Sequence, residues 1–273
     1  MDRIKRNERL SAMARILTGR PNRIHTLGEF CTLFGAAKST ISEDIDLLNA
    51  ALTEFDLGRV ETVAGAAGGV RFRAIPGPER AAHILEAIAD RLRQPGRKLP
   101  GGFLYTSDIT AEPAIAQEVG ELFAAQYYDR KPSFVLTMET KGIPIALMTA
   151  RALDVPLVIA RRDSPAYEGS AVKINYIAGG GTERIETMAL ARRAVSPGQR
   201  ALIIDDFMKG GGTLQGMVDM MQEFQAEVVG VGVLIATAEP VQKRVNDARA
   251  LLILEGFDPE TGAACVRPGN LSF

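Results

Sequence analysis

The chain has no tryptophan, two histidines and two cysteines, and each scarcity excludes a class of function. Cys31 and Cys265 lie far apart and outside any CxxC spacing, which fits two reduced thiols in a cytoplasmic protein rather than a disulfide framework. His25 and His83 stand alone, so no zinc site or other metal site is expected. No apolar run reaches the roughly 20 residues of a membrane span. The longest, Val228 to Ala238, is broken by glycines and reads as a core strand. The N-terminus is basic but has no apolar h-region, so neither a secretory signal nor a membrane partner is expected. GxxxxGK[ST] and GxGxxG are both missing, which excludes a P-loop and a dinucleotide fingerprint.

What is present is enough apolar residue for two cores, 46% of 273 positions, and an uneven charge. The net charge is −1. Residues 1–24 nevertheless carry seven bases (Arg3, Lys5, Arg6, Arg9, Arg15, Arg20, Arg23) against Asp2 and Glu8, or +5. A basic arm on a near-neutral chain points to a polyanionic partner.

Helical spacing recurs three times near the front, at 8–19, 26–34 and about 37–55. Thr26 is placed to cap the second helix, and Thr40 with Glu43 fits a capping box in the third. RVETV and VRFRAI then flank AGAAGG, a hairpin signal. Three helices and a hairpin are the order of a winged helix-turn-helix, whose second motif helix enters the major groove of double-stranded DNA. Lys38, Ser39, Thr40 and Ser42 fall at the start of that helix, Arg71 on the wing, and Arg3, Lys5 and Arg6 on the basic arm. Glu43, Asp44 and Asp46 oppose this reading, so a helical cap or protein-binding module stays open.

A helix over 78–94 and the breaker QPGRKLPGG lead into a different pattern. The boundary is drawn between 1–76 and 77–273. Strand-like runs at 101–106, 133–138, 156–160, 201–205 and 228–236 alternate with helical stretches at 112–127, 143–152 and 213–225. This is an α/β domain with a mainly parallel sheet. Little chain follows the last of these strands. VKINYIAGGGTERIETM, 172–188, reads as a functional flap.

Ligands of such sheets sit beyond the carboxyl ends of the strands, where ALIIDDFMKGGGT places a dense set of polar groups. Asp205 and Asp206 can accept hydrogen bonds from vicinal sugar hydroxyls, with Mg²⁺ assisting, but as like charges they cannot hold phosphate. Phe207, Met208, Lys209, Gly210, Gly211, Gly212 and Thr213 form a glycine-rich turn opening a helix, which suits a phosphate through free amides and the helix dipole. A second turn, Thr140, Lys141 and Gly142, suits a pyrophosphate. Arg161 and Arg162 are expected to bring positive charge to the same rim, and Tyr105 is either a core residue or one that stacks on a base.

Residues 201–213 resemble the phosphoribosyl pyrophosphate (PRPP) motif of type I phosphoribosyltransferases, and 139–142 their pyrophosphate loop. The combination of KSTISEDI, VAGAAGGVRF, LPGGFLYTSDI, TKGIP, INY and LIIDDFMKGGGT is similar to the purine-operon repressor (PurR) family of Gram-positive bacteria, from about residue 8 to about 255. That resemblance implies a winged-helix N-domain on operator DNA and a type I phosphoribosyltransferase-like domain. The second domain would sense PRPP, with its substrate site kept and its reaction lost, and would pair as a homodimer. PRPP is then an effector, and no obligatory cofactor is expected. Lys209, where some transferases place an acid, agrees with lost catalysis. An active purine phosphoribosyltransferase with an appended regulatory domain remains the alternative, and a pyrophosphorylated guanine alarmone fits the same cradle.

Overall fold

The computed structural model describes residues 4–65, 68–163, 169–178 and 184–271. Helices α1 (Arg6–Gly19), α2 (Leu27–Phe34) and α3 (Lys38–Glu54) precede the antiparallel hairpin β1 (Arg59–Val63) and β2 (Gly69–Arg73). Met13, Leu17, Phe30, Ile41, Leu48, Val60 and Phe72 close one core from all five elements. Thr26 caps α2 by accepting the Glu29 N–H at 3.2 Å, and Gly35 ends it with φ 59°. The capping box expected of Thr40 and Glu43 does not form. The helix starts three residues earlier, with extended Ala37 as its cap, and Glu43 is engaged by Arg6.

A second fold begins with α4 (Pro78–Arg93). Its Ile84, Leu85, Ile88 and Leu92 pack into a cluster that continues through Val119, Phe123, Ile145 and Leu234. The central sheet has six strands in the order β12-β11-β10-β9-β5-β6. These are β5 (Phe134–Met138), β6 (Leu157–Ala160), β9 (Arg200–Met208), β10 (Glu227–Thr237), β11 (Arg249–Phe257) and β12 (Ala264–Pro268). All neighbours are parallel except β11 and β12. Helices α7 (Ile143–Leu153) and α8 (Gly212–Glu223) make the β5–β6 and β9–β10 crossovers, and α6 (Pro113–Tyr127) leads into β5. The hairpin β7 (Ala171–Ala178) and β8 (Arg184–Ala191) lies over α8, where Tyr176 and Met188 crowd Gly216.

Two expectations need correction. The run 101–106 contributes only β4 (Phe103–Leu104), paired antiparallel with β3 (Lys98–Leu99) outside the main sheet and followed by the short helix α5 (Ser107–Thr110). The chain does not run short after 236. RALLILEGF and ACVRP add two strands, because an apolar run can be buried once β10 offers it an edge. Among the described residues no helix is long and apolar enough to cross a membrane.

Candidate effector cavity and nucleic-acid face

The cavity forms where β5 and β9 end side by side. β9 carries a continuous buried run, Ala201 to Ile204, and delivers Asp205 and Asp206 at its carboxyl end. The neighbouring strand β5 ends in Met138, and its turn 139–142 opens α7 with Gly142 as N-cap. The two loops touch so closely that a Cβ on Gly142 would lie 2.5 Å from Asp205 Oδ1 and from Thr137 Oγ1. Only glycine fits there. On the other side Gly211 adopts φ 81° before α8, a left-handed conformation open to glycine at little cost. The Glu139–Thr140 peptide is cis.

A cavity of about 640 Å³ lies between these loops and the β7–β8 hairpin. Thr140, Lys141, Arg162, Asp205, Asp206, Phe207 and Thr213 line it, as read from the sequence, and so do Phe103, Glu139, Tyr176, Arg184 and Glu186. Residues 179–183, in the middle of the expected flap, lie outside the described residues. The hairpin's contribution was legible by alternation. Tyr176 pairs across with Glu186, and Ala178 with Arg184, putting all four on one face. The Tyr176 hydroxyl donates to Glu186 at 2.8 Å. Burial first, then Glu186, pushes its pKa up to about 12.

The acids are energetically loaded. Burial, and then the charge of Asp206, holds Asp205 well above the usual carboxylate range. Burial also raises Asp206, against the pull of Lys141. Asp205 receives one internal hydrogen bond, from the Asp206 N–H at 3.0 Å. Thr137 Oγ1 is buried without a hydrogen-bond partner. Buried oxygens of this kind favour a ligand that brings hydroxyl donors or a cation. Among the described residues no group of three or more His, Cys, Asp or Glu is placed to hold a metal ion, so a Mg²⁺ would have to share its coordination with ligand oxygens.

Four sequence-predicted residues are placed otherwise. Arg161 borders a different cavity, with Pro156, Leu157 and Leu190, because consecutive residues leaving β6 face opposite ways. Tyr105 does not line the cavity; Phe103, two residues earlier, does. The Met208 side chain is buried in the core beneath the loop. Lys209 directs its ammonium over the Phe103 ring, 5.5 Å from the centroid. Gly210, Gly211 and Gly212 carry no side chain, and what they can offer is backbone.

On the first domain, Lys38, Ser39 and Ser42 are exposed at the start of α3 and Thr40 is half-buried. Asp44 is fully buried, away from that face. Its carboxylate takes Arg9 Nε at 2.6 Å and Arg6 Nε at 2.9 Å, locking α1 to α3. Burial opposes ionisation of Asp44, but the two arginines outweigh it and lower its pKa. Arg6 also meets Glu43 at 3.0 Å. Arg71 meets Glu61 at 3.2 Å. Neither is therefore the isolated cation that its position in the sequence suggested. Lys5 is exposed; Arg3 lies outside the described residues.

The two domains meet through named contacts. Asn22 donates from Nδ2 to the Leu153 carbonyl at 2.8 Å, and Arg20 pairs with Asp154 at 3.1 Å, both at the end of α7. Arg73 is buried with its guanidinium 4.5 Å from the centroid of the Tyr128 ring.

Comparison with known proteins joins the two halves. Residues 5–74 match the family described as bacterial purine repressor, N-terminal, and residues 106–260 match the phosphoribosyl transferase domain. The purine biosynthesis transcriptional activator PurR of Lactococcus lactis is 38% identical over 98% of both chains. The purine biosynthesis transcriptional repressor PurR of Bacillus subtilis is 37% identical over 98% of this chain and 94% of its own. A xanthine phosphoribosyltransferase of Geobacillus thermodenitrificans is 36% identical, but over 54% of this chain and 72% of its own. The adenine phosphoribosyltransferase of Thermoanaerobacter pseudethanolicus shares the fold, with TM-score 0.53 at 21% identity over 62% of this chain and 98% of its own. Matched along nearly its whole length to regulators, and only through its second domain to transferases, the chain belongs to the PurR family of purine biosynthesis transcriptional regulators.

Proposed function

We propose that this chain binds operator DNA of purine biosynthesis genes through its first domain and releases it when PRPP fills the cavity of the second. One observation carries the reading. Buried Asp205 and half-buried Asp206 stand beside a glycine-opened helix start, in the same chain as a helix-turn-helix with an exposed polar face.

Each part of PRPP has a counterpart. The ribose hydroxyls donate to the carboxylate oxygens of Asp205 and Asp206, and a Mg²⁺ carried by the ligand would be neutralised there. The 5′-phosphate meets the amides of 208–212 and Thr213 at the α8 N-terminus. The pyrophosphate meets Thr140, Lys141 and the amide of Gly142, with Arg162 beside them. The β7–β8 hairpin covers the ligand from the side of Tyr176. A pyrophosphorylated guanine nucleotide would compete for these groups. An adjoining cavity of about 450 Å³, lined by Leu99, Pro100, Phe103, Leu104 and Phe207 with Thr106, Lys141 and Asp206 at its polar side, has room and apolar surface for a base.

Lys5, Lys38 and the α3 N-terminus supply phosphate contacts, and Ser39, Thr40 and Ser42 the base contacts. Helix-turn-helix proteins bind paired half-sites as dimers, so the chain acts as a homodimer, on DNA in the cytoplasm. Relatives of nearly equal identity are named repressor and activator. The fold thus serves either sign, and for this chain we assign repression by occupancy of the operator.

The direct test is binding of a fluorescent purine-gene operator with and without PRPP at fixed Mg²⁺. Release on adding PRPP supports the reading; unchanged binding rejects it. The rival, a live transferase, has the xanthine enzymes' likeness behind it. We expect no pyrophosphate release with adenine, guanine, hypoxanthine or xanthine. Turnover of any of them at even about one per second, within the ordinary enzyme range, would favour the enzyme.

A further inference from the structure

The glycines of the cradle pose a problem that the sequence does not show. A backbone site for an anion needs its N–H groups turned toward the ligand and its carbonyls turned away, since a carbonyl oxygen repels phosphate. Three consecutive glycines are the residues least able to hold such an arrangement unaided.

The structure holds the arrangement from behind. Lys243, in the loop after β10, donates from Nζ to the Lys209 carbonyl at 2.6 Å. The Arg244 N–H donates to the Gly210 carbonyl at 3.0 Å. Lys243 Nζ also donates to Thr237 Oγ1 at 3.2 Å, and that hydroxyl donates onward to the Glu239 carbonyl at 2.5 Å. Neither Lys243 nor Arg244 lines the effector cavity; Lys243 faces a separate one bordered by Met208, Thr237 and Asn270. Two successive carbonyls of the crest are thus drawn to the far side of the loop. A Cβ on Gly211 would lie 3.4 Å from the Arg244 and Val245 nitrogens, so the loop and its brace are in close contact.

We propose that Lys243 is a positioning residue for the phosphate cradle. Its ammonium fixes the Lys209 peptide so that the amides from Gly210 to Thr213 face the ligand's 5′-phosphate, and it adds positive potential behind them. This rests on the effector reading above and adds a residue that never touches the ligand. Lys209, in the middle of the motif, then contributes mainly its carbonyl, as the handle that Lys243 grips.

The test uses the full chain and three probes followed by calorimetry: PRPP, ribose 5-phosphate and inorganic pyrophosphate. Lys243→Met keeps the length of the side chain and removes the donor. It should weaken PRPP and ribose 5-phosphate about tenfold or more, the usual worth of one hydrogen bond to a charged group. Pyrophosphate, held by the 139–142 turn, should bind within about twofold of wild type, and operator affinity without effector should not change. Lys243→Arg should recover most of the loss. Thr237→Val, which leaves the lysine in place but removes one of its acceptors and the hydroxyl's own long contact with the Lys209 carbonyl at 3.4 Å, should show a smaller loss confined to the same two probes, and serves if Lys243→Met does not fold. Wild-type affinity for ribose 5-phosphate in Lys243→Met, or an equal loss for all three probes, overturns the positioning role. Failure of the wild-type chain to bind either sugar phosphate overturns the effector reading and this inference with it.

Discussion

Operator affinity should fall about a thousandfold or more between 50 and 200 mM salt, measured by fluorescence anisotropy. That magnitude follows if a dimer neutralises six or more phosphates, each releasing a condensed counterion. Arg6 belongs to the basic arm, but its guanidinium is committed to Glu43 and Asp44. Lys38→Ala should therefore flatten the log–log salt slope by about one unit per protomer on every DNA sequence. Arg6→Ala should instead show its main effect in thermal stability, by leaving Asp44 to Arg9 alone. A flat salt response would mean that the first domain binds protein, and a helical cap would be the better description.

The second large effect concerns the buried acids. Asp205→Ala should weaken PRPP about 10- to 150-fold, since hydrogen bonds to a charged group are worth about 1.5–3 kcal/mol. The ligand-free protein should respond oppositely. Burial raises the folded-state pKa of Asp205 above its ordinary value of 3.8, so its contribution to stability is full below that pH and is lost as pH rises through the folded value. At neutral pH the site is thus paid for in stability, and Asp205→Asn should melt higher than wild type. The difference should shrink as pH is lowered toward 4, where the wild-type carboxyl protonates in both states. Calorimetry checks the first expectation and thermal unfolding against pH the second. A variant that lost PRPP together with stability would mark Asp205 as a structural residue.

Local chemistry was legible in the sequence, and pairing across the fold was not. The strand–acid–glycine order of 201–213 describes one element end, and that order, though not the orientation of its peptides, is fixed by neighbours in the chain. The same holds for Thr26 as a cap and for the turn 139–142. Arg161, Tyr105 and Arg6 were misplaced for a shared reason, that their surroundings come from distant segments. Arg161 is turned by its bridge to Ala189, and Arg6 is captured 38 residues along the chain by Asp44. The hairpin Phe103 and Lys98 share with their neighbours is too short for periodicity to register. β11 and β12 were overlooked because a buried apolar run outside a βαβ rhythm has no pattern of its own. Lys243 had no signal at all, since its role is to hold a backbone oxygen of another loop.

The account joins two sites through α7. That helix is capped by Gly142 of the 139–142 turn at one end and by Asp154 at the other, where Asp154 pairs with Arg20 and the Asn22 amide donates to the Leu153 carbonyl. PRPP and DNA are both polyanions, so filling the cavity also weakens any positive field the domains share. Linkage makes the effect reciprocal: the factor by which PRPP lowers operator affinity must equal the factor by which operator lowers PRPP affinity. The decisive measurement titrates PRPP into the protein alone and into protein saturated with its operator, at fixed Mg²⁺ and salt. The account predicts weaker PRPP binding in the presence of operator by about 5- to 150-fold, the usual range of such coupling. Equal affinities in the two titrations would contradict it, because a cavity blind to DNA cannot regulate the domain that binds it.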